Sequence, residues 1–199
     1  MAGMNLLVFA GSARQQSLNR RLAATASNLA RESGEAVTHI ELGDFDLPLY
    51  NGDLEARGLP PDVVRLKQLA QDHPGWLICT PEYNGSYPPL LKNTLDWLSR
   101  PVPDHPDWAD GLRPFRGKVV GVISASPGAL GGLRAHAHLA SLLLTLKCWV
   151  APSAYALAHA DQAFDAQGQL LQPAARHGVQ AVIDEVVQTA ARLSPMAGT

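Results

Sequence analysis

The sequence predicts an α/β fold: one domain built on a doubly wound, five-stranded parallel sheet with helices on both faces. Three observations predict it. Short apolar runs alternate with stretches of helical period along the whole chain, which is the pattern of linked βαβ units. The runs are nearly continuous in apolar residues, as strands buried on both faces are. Gly, Pro, Ser and Asn cluster where runs end and helices begin, the place where an open α/β sheet gathers ligand-binding loops.

Met4 to Ala10 is the first apolar run, and Gly11 ends it. Ser17 is an N-cap candidate for a helix reaching about Ser33, with Leu18, Leu22 and Leu29 on one face and Gly34 at the C-terminal cap position. Ala36 to Leu42 is the second strand. Gly43 to Leu59 is a loop whose Leu47-Pro48-Leu49-Tyr50 segment folds down onto the domain. Pro60 and Pro61 open a helix to about Asp72, with Val63, Leu66 and Ala70 inward.

Trp76-Leu77-Ile78-Cys79 is the third strand, stopped by Pro81, which has no N–H for a ladder. Pro88-Pro89 pre-sets a helix carrying Leu91, Leu95 and Leu98 on one face. Pro101 to Gly117 is an irregular connector expected at the amino ends of the strands. Lys118 to Ala125 is the fourth strand, Ser126 to Gly132 a glycine-rich loop, and Leu133 to Lys147 an apolar helix. Cys148 to Ala151 is the fifth strand. A polar loop through Gln172 leads to a last helix striped by Val179, Val182, Ile183, Val186, Val187 and Ala190.

Composition excludes several classes of function. A formal charge of -2 offers neither nucleic acid nor an anionic membrane a basic surface. The apolar runs are far too short to span a bilayer. Met1-Ala2-Gly3-Met4-Asn5 leads directly into the first strand, with no cleavable leader expected. Cys79 and Cys148 both lie in apolar runs and read as buried thiols of a cytoplasmic protein. No metal-ligand spacing is present. Gly-x-Ser-x-Gly is absent around Ser86 and Ser126, and no Arg follows Cys79 within the next loop, so neither a serine hydrolase nor a cysteine phosphatase is supported.

If the strand order is 2-1-3-4-5, the loops after Ala10 and Thr80 meet at the switch point. In the first, Ser12, Arg14, Ser17 and Asn19 stand beside the opening N–H groups of a helix, a donor set suited to one terminal phosphate. An ordinary strand-to-helix turn with a Ser cap fits the first loop about as well when it is taken alone. It is neither a G-x-G-x-x-G fingerprint nor a P-loop. The second loop, Pro81-Glu82-Tyr83-Asn84-Gly85-Ser86, lacks Arg and Lys and suits something flat, polar-edged and nearly neutral. The glycine-rich Ser126 to Gly132 loop either supplies small residues for close packing of the following helix or, through Ser126 and the backbone around Gly128, walls the same pocket.

Gly11-Ser12-x-Arg14-x-x-Ser17-x-Asn19, together with Pro81 to Ser86 and Leu91-Lys92-Asn93-x-x-Asp96-Trp97, resembles the NADPH-dependent FMN reductase family, whose members include quinone, azo-dye and chromate reductases. The resemblance implies a flavodoxin-like fold holding FMN, with NADPH or NADH as electron donor. Hydride would pass through the flavin to quinone-like, azo, flavin or metal-oxyanion acceptors in a ping-pong cycle. Carried over by residue, it implies a phosphate site at Ser12, Arg14, Ser17 and Asn19, with Gly11 and Leu18 also among the cofactor-binding residues. The ring would lie against Pro81, Glu82, Tyr83, Asn84 and Gly85, with Ser126 and Gly128 opposite.

No residue is required as acid or base, so His136 and His138 read as structural or interface groups. The family assembles as dimers or tetramers, and the expectation here is that the 91–98 and 133–147 helices are partly buried between subunits. The alternatives are a reductase that uses FMN as substrate, or a flavodoxin-type electron carrier. A carrier is expected to be more acidic than this chain.

Overall fold

Parallel strands form where the apolar runs lie. The computed structural model describes residues 4–193; Met1, Ala2 and Gly3, read above as leading into the first strand, lie outside the described residues. The strands are β1 (Asn5–Ala10), β2 (Ala36–Glu41), β3 (Gly75–Cys79), β4 (Val119–Ala125) and β5 (Trp149–Leu157). They pair in parallel in the order β2-β1-β3-β4-β5, the flavodoxin-like arrangement. The switch point therefore falls between β1 and β3, with β4 next to it.

Side chains of successive strand residues go to opposite faces, and each face is covered. Leu6, Val8, Leu77 and Ile123 pack with α1 (Leu18–Glu32) and α6 (Pro173–Leu193). Leu7, Phe9, Trp76, Ile78, Val120 and Val122 pack with α3 (Pro61–Asp72), α4 (Pro89–Leu98) and α5 (Arg134–Thr145). Leu91, Leu95 and Leu98 are all within this second core. That corrects the expectation that the α4 face waits for another subunit: its apolar stripe is consumed inside the chain. Leu139 and Leu143 of α5 are likewise buried, leaving Leu133 and Leu144 exposed.

Two segments differ from the sequence reading. β5 continues to Leu157 instead of stopping at Ala151. Pro152 offers no ladder donor, and the strand absorbs it in a bulge: Val120 pairs with Val150, but Val122 pairs with Ala154. The Glu185 carboxylate of α6 accepts the Ser153 N–H at 2.9 Å within that bulge. The 43–59 loop also contains a short helix, α2 (Gly52–Glu55), whose cap Asn51 accepts the Asp53 N–H at 2.8 Å.

The Leu47–Tyr50 strap does fold down, because α4 holds it by its backbone. Trp97 Nε1 and Asn93 Nδ2 donate to the Pro48 carbonyl at 2.7 and 3.0 Å, and Asn93 Oδ1 accepts the Tyr50 N–H at 2.8 Å. The 101–117 connector runs into the amino end of β4, away from the switch point. There Lys67 Nζ, fully buried, donates to the carbonyls of Leu98 and Arg100 at 2.6 and 2.8 Å, and Trp108 is buried beside it.

Candidate functional site

Three loops leave the carboxyl ends of β1, β3 and β4 and converge. Each is kept in register by a backbone bond to the neighbouring strand: Gly11 N–H to Cys79 at 2.9 Å, Thr80 N–H to Ile123 at 2.9 Å, and Ser126 N–H to Leu157 at 3.1 Å. Between the loops lie two adjoining cavities. The first, about 290 Å³, is lined by Ser12, Arg14, Ser17, Leu18 and Asn19 on one side and by Pro81, Glu82, Tyr83, Ala125, Ser126 and Pro127 on the other. The second, about 450 Å³, opens between Glu82 and Asn84 on the β3 loop and Ser126, Gly128–Gly132 and Arg134. Glu82 and Ser126 belong to both walls.

The first cavity gathers hydrogen-bond donors of the kind that suit an anion. Ser17 caps α1: its Oγ accepts the Arg20 N–H at 3.4 Å, which leaves its own O–H to donate to a ligand oxygen. The opening N–H groups of α1 carry the positive end of the helix dipole. Arg14 is exposed, and its guanidinium has no partner among the described residues, whereas Arg20 is taken by Glu41 at 2.7 Å. Asn19 is spent differently. Its amide donates to the Ala125 carbonyl and accepts the Ala125 N–H, both at 2.9 Å, tying α1 to the end of β4. One amide hydrogen remains for a ligand.

Gly11 lines neither cavity. A Cβ there would meet Pro88 Cγ at 3.1 Å and Leu91 Cβ at 3.3 Å, so the site needs glycine for the close approach of the α4 entry and not for an unusual φ. Gly85 also lines neither cavity. It sits at the tip of a tight turn in which Tyr83 and Ser86 exchange backbone bonds at 2.8 and 3.1 Å. Asn84 (φ 52°) and Gly85 (φ 82°) are both left-handed, as a type I′ turn requires. The Asn-Gly pair is the strongest short-range sequence signal for such a turn.

Side-chain partners far away in sequence were not legible at all. Glu82 is paired with Arg134, 52 residues later, and accepts the Arg134 N–H at 3.1 Å at the start of α5. Ser124 Oγ donates to the Gly131 carbonyl at 2.7 Å, and His136 Nε2 stands 2.7 Å from the same Oγ. A hydroxyl has one proton, and a carbonyl can only accept, so His136 must be the donor: its proton is on Nε2. Nδ1 is buried without a partner among the described residues, and burial lowers the His136 pKa, opposed in part by Glu82. The neutral imidazole thus pins the 126–132 loop through Ser124. His138 is exposed, with Nδ1 3.1 Å from Ser86 Oγ.

No nucleophile with an adjacent base lies in either cavity. Burial pushes the Cys79 thiol pKa up, and Cys148, buried and only partly relieved by Lys118, is pushed up to about 12. Among the described residues no group of His, Cys, Asp and Glu could hold a metal, and no helix is long and apolar enough to cross a membrane. What the arrangement offers is an anion cradle after β1 opening into a cleft whose one internal carboxylate is already neutralised.

The sheet order places the chain among α/β proteins of the flavodoxin-like type. The model of the NADPH-dependent FMN reductase family matches residues 4–162, and the chain belongs to that family, a family of oxidoreductases. A quinone reductase of Pseudomonas putida is 39% identical over 182 residues, covering 90% of this chain and 91% of its own. An NAD(P)H-dependent FMN reductase of Pseudomonas aeruginosa is 36% identical over 179 residues, covering 89% and 90%. Among solved structures, the flavoenzyme NAD(P)H:(acceptor) oxidoreductase FerB of Paracoccus denitrificans superposes with a TM-score of 0.79 at 33% identity, covering 95% of this chain and 98% of its own.

Proposed function

We propose that the protein is an FMN-dependent NAD(P)H oxidoreductase that delivers electrons to small acceptors of the quinone class. The single observation that carries the reading is the unpartnered Arg14 guanidinium beside Ser12, Ser17 and the N-terminus of α1, opening into the cleft between the β3 and β4 loops. The donor set suits the phosphate of FMN, and the neutralised cleft suits a flat, uncharged ring with polar edges. Bound FMN supplies the transfer of two electrons between donor and acceptor.

The residues of the chain bind and orient. Arg14, Ser12 and Ser17 hold the phosphate, with the remaining amide hydrogen of Asn19 as a further donor. Backbone groups of Pro81 to Gly85 meet the ring edge, and the loop from Ser126 through Gly128 closes the far side. Tyr83, 50% exposed at the mouth, offers an aromatic face. With one cleft for both partners, NAD(P)H and acceptor take turns, which is a ping-pong cycle. Azo compounds, free flavins and metal oxyanions are acceptors of the same kind. The chain works as a homodimer or homotetramer, with exposed Leu130 and Leu133 beside the cleft as contact residues. Buried free thiols suit the cytoplasm.

The visible spectrum of the freshly purified protein, recorded before and after NADPH is added without oxygen, tests this reading. A flavin spectrum bleached by NADPH is expected. A colourless protein that reduces added FMN would make FMN a substrate, and a protein that binds no flavin would refute the reading.

A further inference from the structure

The carboxylate of Glu82 stands on the wall shared by both cavities, and its side chain is only 9% exposed. Two groups hold it there. Oε2 accepts the backbone N–H of Arg134 at 3.1 Å, at the positive end of α5. Oε1 accepts from Arg134 Nε at 2.6 Å and also from the guanidinium Nη2. The clamp joins the β3 loop to the β4–α5 loop. The Arg134 side chain itself is 65% exposed, so it lies over the carboxylate from the solvent side.

The helix N–H already anchors one carboxylate oxygen, and the guanidinium on the other compensates the negative charge on the cleft wall. Resting on the FMN reading above, we propose that Arg134 is a positioning residue that sets the electron affinity of the flavin cleft by neutralising Glu82. Electrons added to a flavin here bring negative charge beside Glu82. A bare carboxylate opposes that charge, and more strongly once the ligand has displaced water from the cleft. Arg134 removes the opposition. Its guanidinium acts on the flavin through Glu82.

The two partners then have opposite effects, which no merely structural role reproduces. Arg134→Ala leaves the carboxylate uncompensated. Glu82→Gln keeps an oxygen to accept the Arg134 N–H while leaving the guanidinium in surplus.

The test is the midpoint potential of bound FMN, by equilibration with reference dyes, in the wild type and in Arg134→Ala, Arg134→Lys, Glu82→Gln and the double variant Glu82→Gln/Arg134→Ala. Arg134→Ala is expected to lower the equilibrium constant for reduction on the order of tenfold, about 30 mV more negative for a two-electron couple. Glu82→Gln is expected to move the potential the other way, the double variant to return near the wild type, and Arg134→Lys to restore most of the loss. Potentials that stay put, or that move in the same direction in both single variants, would overturn the proposal while leaving the cofactor reading intact. A wild type with no bound flavin would instead overturn the cofactor reading, and the proposal with it. Exposure of Arg134 and the retained acceptor in Glu82→Gln keep both variants foldable, and circular dichroism checks that.

Discussion

Asn19 and Ala125, 106 residues apart, exchange two hydrogen bonds of 2.9 Å, so the second residue of α1 closes the backbone at the end of β4. The loops after β1 and β4 are thereby fixed to one another, and the first cavity has rigid walls on both sides.

Asn19→Ala strips both partners from a buried backbone unit. Leaving the Ala125 N–H and C=O unpaired is expected to cost about 2–4 kcal/mol, read as a lower midpoint in urea denaturation. Flavin affinity should fall with it. Unchanged stability would mean that water replaces the amide and that the two loops are not joined as described.

Gly131 and Gly85 both have positive φ, at 61° and 82°, yet their substitution by alanine should differ in consequence. A Cβ on Gly131 would lie 2.7 Å from the Ala156 carbonyl carbon and 2.8 Å from the Ala158 nitrogen, so backbone strain and collision add. A Cβ on Gly85 meets open space. Gly85→Ala is expected to cost about 1–2 kcal/mol from the left-handed backbone alone, and Gly131→Ala about 1–3 kcal/mol more. Equal losses in thermal or urea denaturation would remove the collision from the account.

His136 carries a signature in pH. Burial holds its folded-state pKa below the ordinary 6.5, with Glu82 opposing in part. As pH falls below about 6.5 the unfolded chain takes up the proton first, so stability falls with acidification until the folded-state pKa is passed and then levels. His39, lowered by burial, opposed by Glu41 and reinforced by Arg31 and Arg20, adds a slope of the same sign. His136→Gln keeps a donor near the position of Nε2 but does not titrate. Urea denaturation of the two proteins across this range should show a shallower slope in the variant; identical slopes would contradict the neutral Nε2–H imidazole.

Local chemistry is what the sequence made legible. Strand runs, the Ser17 cap, the Pro88-Pro89 helix start and the small polar residues after β1 each act within a few residues, and each stands where the sequence places it. The fifth strand runs past Ala151 because β5 lies at the sheet edge and takes Pro152 in a bulge against β4, which only the neighbouring strand and Glu185 show. The stripe Leu91, Leu95, Leu98 announced an apolar face but not its partner, which turned out to be the sheet. Glu82–Arg134, Asn19–Ala125 and Ser124–His136 had no signal, since each depends on which loops the topology brings together. Asn84-Gly85 differs from these, since its turn is a local signal carried by two adjacent residues.

The phosphate assignment of Arg14 is the claim on which the functional account depends most, and paired binding titrations of FMN and riboflavin to wild type and Arg14→Ala test it most directly. The two ligands differ only in the phosphate. Loss of a charge-assisted hydrogen bond is expected to weaken FMN by roughly 1.5–3 kcal/mol, about 10- to 150-fold, while riboflavin affinity stays the same. FMN bound equally well by both proteins, or riboflavin weakened as much as FMN, would contradict the account.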